Sequence, residues 1–273
     1  MTSLTRGISD ETFDTYLSLK FELKKYQRSK RLLIITLLAI AVPLMVYVIP
    51  EIADFGIQVN TFIATNLGFL NVLIVISAAL FAGDAISSEF EKKTGLLLFP
   101  TTQSRSSIFL GKYLASVIAT FLVVTLYTVI AILAIIMAYG VSDIPSELGK
   151  AYLIALLYST SAVSVVYFFS SILKSTISST ILGFVLLMMV FPVIEGVLQM
   201  VDVEPWFVVT YSARLMITEG FSSASSEGFS HFLEAFRSSS YSPDLYIGIG
   251  VMIAYSMLFF ICGLFIANNK PMD

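Results

Sequence analysis

Six apolar runs of at least 18 residues set the terms for this chain, at 32–49, 61–83, 113–139, 151–172, 176–200 and 245–267. At 1.5 Å per helical residue, each reaches or nearly reaches across about 30 Å of hydrocarbon. Only one charged residue, Glu195, falls inside any of them. The chain is 57% apolar and 13% charged, about half the charge of an average soluble domain. The pattern predicts an all-α integral membrane protein with six transmembrane helices. Pro43 is expected to kink the first span. The third is longer than the bilayer requires and is expected to tilt or to project into water. Residues 1–31 are too polar for a cleavable signal, so the first span reads as a retained helix.

Basic residues orient the spans. Residues 1–31 carry Arg6, Lys20, Lys24, Lys25, Arg28, Lys30 and Arg31, and the segment after the second run carries Lys92, Lys93, Arg105 and Lys112. Lys174 and Lys270 lie on the same side, which leaves only Lys150, Arg214 and Arg237 for the other. By the positive-inside rule, both termini and the 84–112 loop are cytoplasmic, and the protein is a multi-pass protein of the cell membrane. The expected organisation is a cytoplasmic or interfacial helix in 1–31, a six-helix domain over 32–267 and a cytoplasmic tail at 268–273. Within the domain lie a coupling loop at 84–112 and an outer loop at 201–244.

Residues 11–26 form an amphipathic pattern. Phe13, Tyr16, Leu17, Phe21 and Leu23 gather on one face, and Glu11, Asp14, Ser18, Glu22 and Lys25 on the other. Lys20 and Lys24 fall within the apolar arc, where their stems can snorkel toward headgroups. The segment reads as an interfacial helix, chiefly an anchor, that could also touch a cytoplasmic partner. In the outer loop, Trp206 and Tyr211 fit an interfacial aromatic belt, and His231–Arg237 suits a short amphipathic helix.

The segment from Asp84 to Lys112 is charged and punctuated by Gly95 and Pro100. It is predicted to lie at a water-facing surface. Asp84–Lys93 reads as a short polar helix with Glu89 and Glu91, stopped at Gly95. An apolar patch, Leu96 to Phe99, and Pro100 follow, and Ser104 or Ser106 is placed to cap the third span. A short rigid helix held between two spans could pass a push from a cytoplasmic partner into both.

The run Glu89-x-Glu91-x-x-x-Gly95-Leu-Leu-Leu-x-Pro100, followed by Ser104-Arg105 and Leu110-Gly111-Lys112, resembles the first cytoplasmic loop of ATP-binding-cassette (ABC) permeases of the type-2 exporter class. Six spans, a basic N-terminal helix and a long outer loop between spans five and six match as well. In that family a Thr usually follows the Gly, whereas here Thr94 precedes Gly95, which places the chain in a divergent subgroup. The resemblance implies two permease subunits, this chain twice or with a homologous partner, each docking an ABC ATPase subunit. It makes 84–100 the coupling helix and carries over Glu89, Glu91, Gly95 and Arg105 as partner-contact or loop-shaping positions. For any one of these charges, a merely solvated loop is an equal reading. It is the ordered pattern that favours contact.

No phosphate-cradling G-x-x-x-x-G-K-[ST] loop is present, since Gly111-Lys112 is followed by Tyr113 and lacks the upstream Gly. ATP and magnesium are therefore expected on the partner subunit and no cofactor in this chain. Intramembrane hydrolysis lacks a nucleophile with a base, because His231 lies in the outer loop and Cys262 reads as an apolar packing residue. Lipid is an expected partner and nucleic acid is not. Glu195, after Pro192, has two readings of equal weight: a group lining a pathway or gate, or a carboxylate near the outer interface satisfied by helix-end amides or water. The hydroxyls of the fourth span (Tyr158, Ser159, Thr160, Ser161, Ser164 and Tyr167) are read as packing groups ahead of pathway lining. The rival to a permease is a membrane-integral assembly or anchoring protein without a transport cycle.

Overall fold

The computed structural model describes residues 8–52, 59–91, 103–140, 147–218 and 243–270. Among them there is no strand. Six helices are long and apolar enough to cross a membrane, and each of the six apolar runs sits in one of them. Helix α1 (Ile8–Gln27) precedes α2 (Lys30–Ile52), the first span, which runs without interruption through Pro43 and Pro50. The second span, α3 (Val59–Ala82), is followed by a tight turn and the short helix α4 (Ser87–Glu91).

The third span, α5 (Arg105–Tyr139), has 35 residues, or about 52 Å at 1.5 Å per residue, so it outreaches the hydrocarbon. Of the two candidate caps, Ser104 does the work. Its side chain accepts the Ser107 N–H, and its backbone is extended. The fourth span, α6 (Leu148–Ile172), packs against the second, third, fifth and sixth spans, with most of its length buried. Its hydroxyls act mainly as packing groups. Ser161 donates to the Met252 carbonyl (2.8 Å), Ser164 bonds the Tyr113 hydroxyl (2.8 Å), and Tyr167 donates to the Phe109 carbonyl (3.0 Å). In a medium as apolar as the side chains themselves, such bonds and close packing replace the hydrophobic drive.

The fifth span is not one regular helix. α7 (Thr176–Val185) passes through a π-helical turn, Leu186–Val190, into α8 (Phe191–Met200). Pro192 lies just beyond that turn and has no N–H to give, and such turns relieve the resulting break in the ladder. The sixth span is α11 (Leu245–Asn269), packed chiefly on α6. The first, fifth and sixth spans present broad apolar faces outward. Cys262 is on such a face, exposed rather than packed.

Two expectations need correction. Residues 208–216 are not a surface loop. α9 (Val209–Ala213) and α10 (Leu215–Thr218) fold back among the spans, with Val208, Val209, Leu215 and Met216 buried. Trp206 is exposed, as a belt residue should be, but Tyr211 is buried and donates its hydroxyl to Glu204 (3.2 Å). The second correction concerns α1. Its face toward the bundle is mixed: Glu22 and Tyr26 are buried and Leu19 and Leu23 pack on the core, while Phe13, Tyr16 and Phe21 point out. Gly111 of α5 makes that crossing close. A Cβ there would stand 2.6 Å from the Ser18 Cβ and 2.8 Å from the Thr15 carbonyl.

Candidate functional site

The segment joining the second and third spans is less of a surface loop than its charge implies. Residues 82–89 are all buried. Charged groups tolerate such a place only when paired and hydrogen-bonded, and here each has a partner far off in the sequence. Lys112 Nζ lies 2.5 Å from Glu89 Oε1 and 3.6 Å from Glu22 Oε2. Glu22 also pairs with Lys25. Asp84 Oδ2 takes Arg31 Nη1 at 2.7 Å and Lys25 Nζ at 3.9 Å. Three carboxylates and three cations thus form a neutral network. Glu22, Asp84, Glu89 and Lys112 are buried in it, while Lys25 and Arg31 are about half exposed. Burial draws the Lys25 ammonium down, but the carboxylates of Glu22 and Asp84 more than offset this and leave it above its usual range.

Hydroxyls satisfy the backbone of the turn. Ser170 Oγ accepts the N–H groups of Ile86 and Ser87, both at 3.1 Å. Ser87 donates to the Gly83 carbonyl (2.8 Å), and Ser179 of α7 donates to the same oxygen. There is no room for a larger residue at 83, because a Cβ would lie 2.5 Å from Thr180 Oγ1 and 2.9 Å from Thr180 Cα. From α1, the Tyr26 hydroxyl donates to the Phe81 carbonyl (2.9 Å) and bonds Ser116 (3.1 Å). Burial, and after it the Glu22 and Asp84 carboxylates, hold that phenol well above its usual range. At the far end of the turn, Glu91 Oε2 accepts the Thr176 N–H (2.6 Å), the first amide of α7. Lys270, just past α11, holds the carbonyls of Ser171, Ile172 and Leu173 at 2.8–3.1 Å, and its ammonium stands 4.3 Å from the centre of the Phe90 ring.

The turn and α4 are therefore tied to all the other spans. Asp84 reaches the first, Glu89 the third, Ser87 and the turn amides the fourth, Ser87 and Glu91 the fifth, and Phe90 the residue that ends the sixth. Of the four positions singled out in the sequence, Glu89 points inward to Lys112. Glu91 and Arg105 are exposed at the ends of α4 and α5. Gly95 lies outside the described residues, as do Leu96 to Pro100. Nothing in the sequence marked Glu22, Asp84 and Lys112 as members of one cluster. The signal that could have found them is charge balance, three acids and three bases in segments that the spans bring to one end.

Glu195 stands at the opposite end. It is buried, with Oε1 accepting from the Thr210 hydroxyl and Oε2 lying 2.9 Å from Arg214 Nη2. Its partners are thus side chains of the folded-back segment, not helix-end amides. The Tyr158 hydroxyl, fully buried, has no hydrogen-bond partner among the described residues.

No curated protein matches this chain. A family model described as ABC-2 family transporter protein matches residues 18–190, a span that takes in the second half of α1, the charged network, the turn with α4 and the π-helical turn. It stops short of Glu195 and the folded-back segment. With six apolar helices and this match over more than half its length, the chain belongs to the ABC-2 family of transporter proteins, as a membrane-spanning permease.

Proposed function

We propose that this chain is the membrane half of an ATP-driven exporter, paired with a second copy or a homologous permease and worked by separate ABC ATPase subunits that hold the ATP and magnesium. One observation carries the reading: α4 and the turn before it are bonded to every other span. A displacement of α4 could not stay local, because it would pull on Asp84, Glu89, Ser87, Phe90 and Glu91 together. Glu91 and Arg105 are the accessible groups for a docked ATPase, while Glu89 shapes the elbow through Lys112. Gly95 would set the turn beyond them. The concentration of Lys and Arg at this end supports a cytoplasmic position for it, with both termini inside the cell membrane.

At the other end, the Glu195–Arg214 pair would serve as the outer closure. A buried pair of this kind holds two elements in register and costs several kcal/mol to break from one side. The family supports outward transport, and the substrate class is left open by the apolar and hydroxyl-bearing spans.

The test is co-purification with the ATPase, followed by transport in proteoliposomes. E91Q/R105Q should lower association, and E89Q should leave association intact while reducing ATP-driven transport. If no ATPase associates and these variants transport normally, the anchoring role replaces this one.

A further inference from the structure

Helix α1 turns two unlike faces outward and inward. Its inner face, with Ser18, Leu19, Glu22 and Tyr26, packs on α5 and the charged network. On its outer face Phe13 is 63% exposed, Tyr16 58% and Phe21 65%. Lys20 and Lys24 are exposed in the same arc. At about 100° per residue, Phe13, Tyr16, Leu17, Lys20, Phe21 and Lys24 span roughly 140° of the helix surface. The exposed acid Glu11 falls on the opposite arc, and Glu22 is turned inward and paired. The described side chains of the outer face are therefore aromatic and cationic, and the one acidic position in the arc, Asp10, lies at its N-terminal end, a full helical turn and more before Lys20.

Its place in the fold says what covers it. The first span begins at Lys30, three residues after α1 ends, and its outward residues Leu33 (66% exposed) and Leu37 (62%) face hydrocarbon. With only two residues between the helices, α1 leads directly into the start of that span, where the headgroup layer of a bilayer would lie. Aromatic rings favour this layer, and lysine stems reach from it to phosphate.

We propose that the outer face of α1 is a binding surface for anionic phospholipid, with Phe13, Tyr16 and Phe21 seated at the headgroup–acyl boundary and Lys20 and Lys24 pairing with lipid phosphates. The same helix presents Glu22 to Lys112 on its inner face, so lipid charge outside and the ion network inside act on one rigid element. The proposal concerns lipid retained by the chain alone and stands apart from the ATPase reading.

The experiment is a native mass spectrometry titration of the full chain in detergent with phosphatidylglycerol and with phosphatidylcholine. Each lysine near an anionic surface contributes a factor of about five in affinity, so two give on the order of ten- to thirty-fold preference for phosphatidylglycerol. K20Q/K24Q, which alters exposed positions only, should lose that preference while melting like the parent. F13S/Y16S/F21S should retain less of both lipids. Equal retention of the two lipids by the unaltered chain would overturn the proposal, as would an unchanged preference in K20Q/K24Q. Displacement of the lipid by millimolar glycerol phosphate would also overturn it, by making the surface a site for soluble phosphate.

Discussion

Replacing Lys112 with Met removes the cation at the centre of the buried network while keeping most of the side-chain volume. At 2.5 Å from Glu89, the direct attraction is about 7 kcal/mol at an effective dielectric constant of about 20. Desolvation of the two ions consumes much of it, so the net worth of the pair is small. The cost of removing one member is not, because it leaves buried carboxylate charge behind, for about 3–5 kcal/mol. Lys25 still serves Glu22, which places the loss at Glu89. K112M should therefore lower the melting temperature of the purified chain by on the order of 10 °C. Removing both charges, as in E89L/K112M, should recover most of that loss, since well-packed apolar groups replace buried ion pairs at little cost. A double-mutant cycle of K112M, E89L and the pair, followed by thermal unfolding in one detergent, isolates the coupling. The reasoning is refuted if K112M melts within a degree or two of the parent, or if the double variant is as unstable as the two single losses added.

Three further outcomes follow from the geometry. Gly83→Val should destabilise the chain by several kcal/mol or prevent its accumulation, since even a Cβ meets Thr180 at 2.5–2.9 Å; normal expression and melting would count against the tight turn. Tyr26→Phe, which takes the phenol from Phe81 and Ser116, should cost about 1–3 kcal/mol and speed proteolysis within α1, measured as the rate of cleavage near Lys20 or Lys24. Arg214→Met strands the Glu195 carboxylate among buried groups and should destabilise more than Glu195→Gln/Arg214→Met together, with thermal melting as the measure.

The spans were legible because length and apolarity decide them. Each run is long enough to cross, and backbone groups in hydrocarbon must bond within their own helix. Ser104 was legible because an N-cap is a local device. What the sequence could not show was which way a polar group faces. Asp84 and Glu89 read as surface charges, yet Arg31 and Lys112, 53 and 23 residues away, neutralise them inside the bundle. Glu22, placed on the polar face of α1, turns inward to Lys112 for the same reason. Glu195 stood out as the one charge within a span, but its partners Thr210 and Arg214 come from a segment whose serines and apolar start read as a loop. Long-range pairing of this kind leaves no periodicity to find.

The π-helical turn at Leu186–Val190 has a consequence for how this chain tolerates change. A wide turn holds one residue more than the regular helix needs, and each residue of a helix swings the next side chain by about 100°. Deleting a single residue there would rotate Glu195 by roughly a quarter of a circle, off Arg214. Conservative apolar substitutions at Leu186, Met188, Met189 and Val190 should be absorbed, whereas loss of one residue should not. In this stretch the count of residues, more than their identity, aims the carboxylate.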